Sequence, residues 1–492
     1  MKGMHWGAAG LGLLLVLLSL WQINGAANGL KITHIPSENP PVTLVTPAGG
    51  DFIDRPLVLI GHGFAGSGLV MRGFAFTLAH AGYNVVLWDF AGHAANQQPL
   101  PREGQTASLL ADAEAALSKA QAYGLGTSKG IAILGHSMGS GVALAYGQIH
   151  PDTMATIAVS PVRQSVTPEL PRNLLLMAGS RETAFVSNAR QILEQAGGSG
   201  GDPAAGLARK LVVVPGVEHV SILFAPKAHA VARDWLDSVF GAQPGATSYT
   251  DLRILWYGIG LLGVLLFFFA LTPLAKRVNI SPVEQLSHHS GWGWTSALVL
   301  GAAGATLGLW GVSQLGLGLR DLFGLLVGGY LLVWFALAGI ISLLVLRERP
   351  RLPSKRAILG GLLAFAALWL GVGLLGQMVW LHWLLITPRL LLWPLSALLT
   401  LPWFLSVGAA AQAGGRGQVA WWLLHSLVVV GALILALTLS PDLGFIMLIL
   451  PLFPIILGLH ALTAGPYREK WSFALSGALF MSWLVLAVFP LQ

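Results

Sequence analysis

Ile131-Ala132-Ile133-Leu134-Gly135-His136-Ser137-Met138-Gly139 is the stretch whose reading decides the fold. Its four apolar residues have the length of a buried strand core. A Gly-x-Ser-x-Gly turn follows at once, and Met138–His150 then has the length of a helix. A strand that turns this tightly into a helix projects Ser137 above the carboxyl edge of a parallel sheet. Small residues at Gly135 and Gly139 permit the turn to close. The Met138 amide, at the helix start, can donate to a developing oxyanion.

The same pattern extends outward. Leu57–Ile60, Val85–Trp88, Thr156–Val159, Leu174–Met177 and Leu211–Val214 are further short apolar or β-rich cores that suit buried parallel strands. Helical-length stretches lie between them: Leu69–Ala81, Thr106–Tyr123, Thr183–Gln195 and Lys227–Phe240. Strand–helix alternation at this spacing predicts a doubly wound, mostly parallel α/β sheet. Gly-x-Ser-x-Gly occurs twice more, at Gly126–Gly130 and Gly197–Gly201. The first precedes a strand and the second lies in a glycine-rich loop, so neither has the strand-before, helix-after context that exposes a nucleophile.

Gly135-His136-Ser137-Met138-Gly139, with Gly61-His62-Gly63-Phe64 upstream, resembles the α/β-hydrolase superfamily, closest in style to its serine aminopeptidase-like and dienelactone hydrolase-like branches. The resemblance covers about residues 30–243. It implies an acyl-transfer site with Ser137 as nucleophile. A second oxyanion amide maps onto Phe64, next to glycines that allow close backbone approach. The resemblance puts the base after the last strand, at His219, with His229 of the terminal helix as its rival. It puts the acid after the strand Leu174–Met177, at Glu182, where the family more often has Asp. Arg181 beside it leaves open a surface ion pair instead. The order Ser137, Glu182, His219 is the order of this fold. Asp89-Phe90-Ala91-Gly92-His93 resembles a structural loop of the family, and His136 reads as a neighbour of the elbow. Only about ten residues separate Ser160 from Pro171, too few for a large lid, so the site is expected to be open unless the membrane domain roofs it.

The rest of the chain has different physics. Of 492 residues, 54% are hydrophobic and 10% charged, against about a quarter charged in soluble domains. That composition excludes disorder. There is no cysteine, so the chain's compartment cannot be read from disulfides. Residues 1–251 hold 15 Lys+Arg and 16 Asp+Glu, whereas residues 252–492 hold 13 and 5. The whole basic excess therefore sits between long apolar runs, which fits membrane-flanking loops and argues against nucleic acid. Trp6–Ile23 is long enough for an anchor or the core of a signal peptide, and an uncleaved anchor is favoured.

Eight further runs near twenty residues follow Asp251, at about 253–274, 294–313, 321–346, 356–380, 389–411, 418–439, 443–464 and 470–490. Threaded with the amino terminus inside, the inner segments receive Lys2, Lys276, Arg277, Arg347, Arg349, Arg351, Lys355, Arg356, Arg416, Arg468 and Lys470. The outer ends receive Arg253, Arg320 and Arg389. This bias places the α/β domain outside the cytoplasm.

The expected organisation is a signal anchor over 1–29, an α/β-hydrolase domain over 30–245 and an all-α polytopic domain over 246–492. The expected activity is hydrolysis of an ester, thioester or amide, at the outer face of what is expected to be a bacterial plasma membrane. Its substrate would be a small-molecule, lipid-like or envelope-derived acyl compound. An acyltransferase with the same three residues, and a transporter or sensor with a non-catalytic binding domain, are the alternatives. No metal or cofactor motif is present. Asp321, His425 and His460 lie in or near the spans without paired acidic and basic groups, and read as packing residues.

Overall fold

The structure is a computed structural model that describes residues 2–35, 39–49, 55–277, 291–348, 352–411, 415–467 and 469–492. Arg349, Arg351 and Arg468 of the basic flanks lie outside the described residues, and the side chains of Lys2, Lys276, Arg277 and Arg416 are likewise not described. The chain divides into two compact units. One comprises Leu20–Tyr257, Gln377–His382 and Pro490–Gln492; the other comprises Met1–Ser19, Gly258–Gly376 and Trp383–Phe489.

The first unit is built on an eight-stranded sheet: β1 (Leu30–Ile35), β2 (Val42–Pro47), β3 (Leu57–Gly61), β4 (Asn84–Trp88), β5 (Ile131–His136), β6 (Thr153–Val159), β7 (Leu174–Gly179) and β8 (Arg209–Val214). The strand order is β1-β2-β4-β3-β5-β6-β7-β8. From β4 to β8 all pairs are parallel, whereas β1 and β2 form an antiparallel edge. The six parallel strands are those expected from their apolar cores, and β3, β4, β5 and β7 are buried at every position. Burial on both faces is why these strands read as unbroken apolar runs. The edge strands β1 and β2 were not expected. In β1, Leu-Lys-Ile-Thr-His-Ile alternates, and all but its last residue keep some exposure.

Of the sixteen helices described, α1 (Lys2–Gly25) opens the chain. The sheet is covered by α2 (Arg72–His80), α3 (Gln105–Ala122), α4 (Met138–Ile149), α5 (Thr183–Gln195) and α6 (Pro226–Phe240). One side of the core joins Val58, Ile60, Val85, Leu134 and Ile157 to Phe74 of α2 and Leu236 of α6. Burying each such side chain stabilises the fold by roughly 1.5–3 kcal/mol.

The second unit is helical. It contains α8 (Gly291–Gln314), α9 (Gly328–Val345), α10 (Lys355–Leu368), α12 (Thr387–Ala411), α13 (Gly415–Leu439), α14 (Ile446–Ile449), α15 (Leu452–Ala464) and α16 (Lys470–Val488), with most of α7 (Arg253–Arg277) and the start of α11 (Leu375–Val379). Trp369–Leu374 is a π-helical segment joining α10 to α11. Among the described residues, eight helices are long and apolar enough to cross a membrane, Trp6–Gly25 included. The expected single span at 443–464 is not one helix. Pro451 lies two residues past the end of α14 and has no N–H to continue its hydrogen-bond ladder, so the run breaks into α14 and the thirteen-residue α15.

Small residues let these helices approach. A side chain at Gly339 would strike the Trp403 backbone, and one at Gly301 would strike Ala338 and Ser342. Arg389, counted from sequence as an outer flank, is buried. Its guanidinium donates to the Phe489 carbonyl at 2.7 Å and to that of Leu486, closing the end of α16.

Candidate active site

Ser137 stands between β5 and α4 with φ +52° and ψ −116°, in the left-handed half of backbone space that a residue with a Cβ rarely occupies. The surroundings enforce it. A Cβ at Gly135 would collide with the Gly139 carbonyl, and one at Gly139 would lie 2.5 Å from the His62 carbonyl. The Ser137 amide donates to Val159 at 2.9 Å. Ser140 Oγ donates to the Ser137 carbonyl at 2.5 Å and accepts from the Val162 amide at 3.1 Å. The turn is thus tied to the end of β6 on both sides.

Three side chains from three loops then meet in series. Glu182 Oε2 and His219 Nδ1 are 2.9 Å apart, as are His219 Nε2 and Ser137 Oγ. A carboxylate only accepts, so Nδ1 carries the proton, and Nε2 is left to accept from the serine hydroxyl. All three residues are buried, with relative exposures of 5% for Ser137, 5% for His219 and 7% for Glu182. Phe185 of α5 stacks on the His219 ring at 4.2 Å. Glu182 Oε1 accepts from Ser160 Oγ at 2.7 Å and from the Gly179 amide at 2.5 Å. Ser160 is the positioning residue that sequence reading missed. It follows β6 with φ +48°, and its only sequence signal was its place between a strand and Pro161.

The other expected residues sort as follows. Met138 begins α4, so its amide lies at a helix start beside Ser137. Gly63, which precedes Phe64, sits where a Cβ would be 3.1 Å from Ser137 Cβ, bringing the loop 61–64 against the elbow. His136 Nε2 donates to the His219 carbonyl at 2.9 Å and fixes the loop that carries the imidazole. Burial, and next the neighbouring His219, holds the His136 ring well below the ordinary histidine range, so it stays neutral. His62 accepts from the Phe90 amide at 3.0 Å, and Asp89 accepts from the Gly68 and Ala95 amides, so hydrogen bonds hold the Asp89–His93 segment beside the loop 61–64.

The rivals fall elsewhere. His229 is buried in α6 with its ring 4.6 Å from that of Phe74, and its Nε2 donates to the Leu223 carbonyl. Glu218 is exposed and accepts from the Val220 and Ser221 amides. Arg181 is exposed, while the Glu182 carboxylate turns inward to His219. Ser128 and Ser199 lie exposed in loops. Among the described residues, no group of three His, Cys, Asp or Glu could hold a metal ion.

Residues 54–195 match the family described as serine aminopeptidase, S33. The match falls within the first unit, whose mostly parallel eight-stranded sheet is that of the α/β-hydrolase fold, and the family is one of hydrolases. Solved structures similar to the chain include a predicted CIB-like hydrolase from Thermoplasma acidophilum (20% identity, 42% of this chain, 97% of that chain, TM-score 0.33) and a dienelactone hydrolase from Anabaena variabilis (20%, 43%, 97%, TM-score 0.32). A membrane phospholipase A described as a bacterial virulence factor is similar at 17% identity, over 46% of this chain and 92% of that chain, with TM-score 0.35. The comparison with curated proteins finds no match.

Proposed function

We propose that the chain is a membrane-anchored serine hydrolase that cleaves an ester, thioester or amide through an acyl-enzyme. The observation that carries the reading is the unbroken series Ser137–His219–Glu182, with both hydrogen bonds at 2.9 Å, on a strained strand–helix turn. In the proposed reaction, His219 Nε2 takes the hydroxyl proton as Ser137 Oγ attacks the carbonyl carbon. The tetrahedral oxyanion lies against the Phe64 and Met138 amides, while Glu182 stabilises the imidazolium. His219 then returns the proton to the leaving group, and water repeats the sequence to free the acid. No step needs a metal or cofactor.

A fluorophosphonate probe tests the nucleophile. Labelling should fall on Ser137, as read by mass spectrometry of the labelled peptide. Ser137→Ala should abolish labelling and turnover. Ser128→Ala and Ser199→Ala should leave both unchanged. A probe found on Ser128 or Ser199, or active protein unlabelled at Ser137, rejects the reading.

The basic flanks support an extracytoplasmic hydrolase domain, with the broken α14–α15 pair counted as one crossing. The expected setting is a bacterial plasma membrane, and proximity to the bilayer favours a lipid-like or envelope-derived acyl substrate. Alkaline phosphatase fused after Gly245 should be active, and a fusion in the 347–356 loop inactive. The opposite pattern reverses the orientation.

A further inference from the structure

A cavity of about 310 Å³ opens within the first unit, beside the antiparallel edge of the sheet. It lies at the ends of β1 and β4 and at the start of β2, which stand four, two and three strands from β5, and therefore roughly 10–20 Å to one side of the elbow. Its polar lining is His34, Thr43, Arg72, Asp89, Gln377 and His382. Leu69 and Trp88 contribute apolar wall. Gln377 and His382 come from the short segment that returns to this unit from between the membrane helices.

Arg72 is the informative member. It is the first residue of the nine-residue helix α2, where backbone amides also face outward. Its Nε is shut off from solvent and has no hydrogen-bond partner among the described residues. A guanidinium N–H in that position normally finds an acceptor, because leaving it unmet costs about 1–3 kcal/mol or more. The obvious internal candidate, Asp89, does not meet it. Both Asp89 oxygens are occupied, by the Gly68 amide at 2.7 Å and the Ala95 amide at 3.2 Å, and Asp89 forms no ion pair with Arg72. Arg253 is no partner either: it adds a second positive charge nearby and is itself paired with Asp251 at 2.8 Å.

We propose that this cavity binds the anionic group of a ligand, a phosphate or carboxylate, held by the Arg72 guanidinium with His34 at its side. Electrostatics agree with this placement. Burial, and then the Arg253 charge, bring Arg72 down to about 10 with the Asp89 carboxylate of the same lining only partly opposing them, and Arg72 in turn adds to the burial that lowers His34. An anion in the cavity relieves both. Arg is suited to the task, since its planar fork pairs with two oxygens at once. Leu69 and Trp88 would contact carbon beside the charged group. The site goes beyond the hydrolase reading, as Arg72 takes no part in the proposed reaction.

The test uses the purified full chain in detergent, titrated with inorganic phosphate, with dioctanoyl phosphatidic acid and, as uncharged control, with dioctanoylglycerol. At least one phosphate probe should bind saturably, and the control should not. Arg72→Gln should weaken binding at least tenfold. It should still fold, because it removes a desolvated cation that faces Arg253. Arg72→Met is the second variant, with folding of each checked by its thermal midpoint and its elution as a single species in detergent. Ser137→Ala should bind as the unaltered chain does, which keeps a failure of the hydrolase reading distinct from a failure of this one. Binding of free phosphate identifies a soluble anion as sufficient, whereas binding of the lipid alone identifies a headgroup; either supports the site. Absence of saturable binding by both probes overturns the proposal, as does unchanged affinity in folded Arg72→Gln or Arg72→Met.

Discussion

Both units bury histidines, but only one surrounds them with the partners that make chemistry. In the α/β unit, His219 has a carboxylate on one nitrogen and a hydroxyl on the other. In the helical unit, His425 Nε2 accepts from Trp403 Nε1 at 2.8 Å, while His460 Nε2 faces the Phe473 carbonyl and Ser476 Oγ at 3.1 and 3.0 Å. Among the described residues neither touches a carboxylate; His425 packs on the Trp403 ring, and His460 lies against those of Phe404 and Phe473. Burial alone therefore does not mark a catalytic histidine. The order of acceptor, imidazole and donor does, because it fixes which nitrogen holds the proton.

The sharpest way to break this comparison is to keep the shape of the series and remove its charge. Glu182→Gln does so, and the surroundings dictate how the amide will sit. Ser160 Oγ–H and the Gly179 N–H both donate to the Oε1 position, so the amide oxygen must stay there. The amide nitrogen then faces His219 Nδ1 and can only donate. That forces the opposite tautomer, with Nε2 protonated and unable to accept from Ser137. Turnover should fall by about 10⁴-fold, with the thermal midpoint nearly unchanged. Full activity in Glu182→Gln, together with loss in Glu218→Gln, would move the acid to Glu218.

The helical unit supplies the converse. His425→Leu removes the acceptor of a buried indole N–H and should destabilise the chain by about 1–3 kcal/mol. Turnover per labelled Ser137 should not change. A selective loss of turnover in folded protein would give the membrane histidines a chemical role and dissolve the distinction drawn between the units.

How much of this was legible follows from where the signal lies. The parallel strands and the elbow are local: apolar runs bounded by glycine, with a helix after them. Glu182 and His219 were placed only through the order of the fold, since nothing adjacent to either names its partner across 37 residues of chain. β1 was invisible because a half-exposed strand of Lys, Thr and His lacks a continuous apolar run, and β2, though mostly buried, has its apolar residues interrupted by Thr43 and Thr46. Ser160 was missed for a related reason. Its role depends on a left-handed turn that aims a hydroxyl at another loop, and a strand-end serine looks the same whether or not it does so. The break before α15 was in fact written in the sequence, as Pro451, but the mean apolarity of the run concealed it.

A second buried carboxylate sharpens the comparison inside the α/β unit itself. Asp112 of α3 accepts from the Ala91 amide at 2.7 Å and, unlike Glu182, has no imidazole against it. Burial pushes its carboxyl up to about 6, with the Ala91 amide and Lys119 only partly opposing the shift. The sign follows from linkage. The folded chain holds this proton more tightly than the unfolded chain, whose carboxyl has the ordinary value near 3.8. Unfolding between these values releases a proton, so stability falls as pH rises from about 4 to about 6. The contribution is complete below the lower value and lost above the upper one, and its ceiling is about 3 kcal/mol. Other groups titrate over the same range, so the useful quantity is the difference from Asp112→Asn. That variant keeps an acceptor for the Ala91 amide but has no charge to bury. It should be more stable than the unaltered chain at pH 7 and should converge with it near pH 4, as read from thermal midpoints in detergent. A gap that widened toward low pH would mean that the Asp112 carboxylate is stabilised as an anion, and that in this unit too a partner, rather than burial, sets its charge.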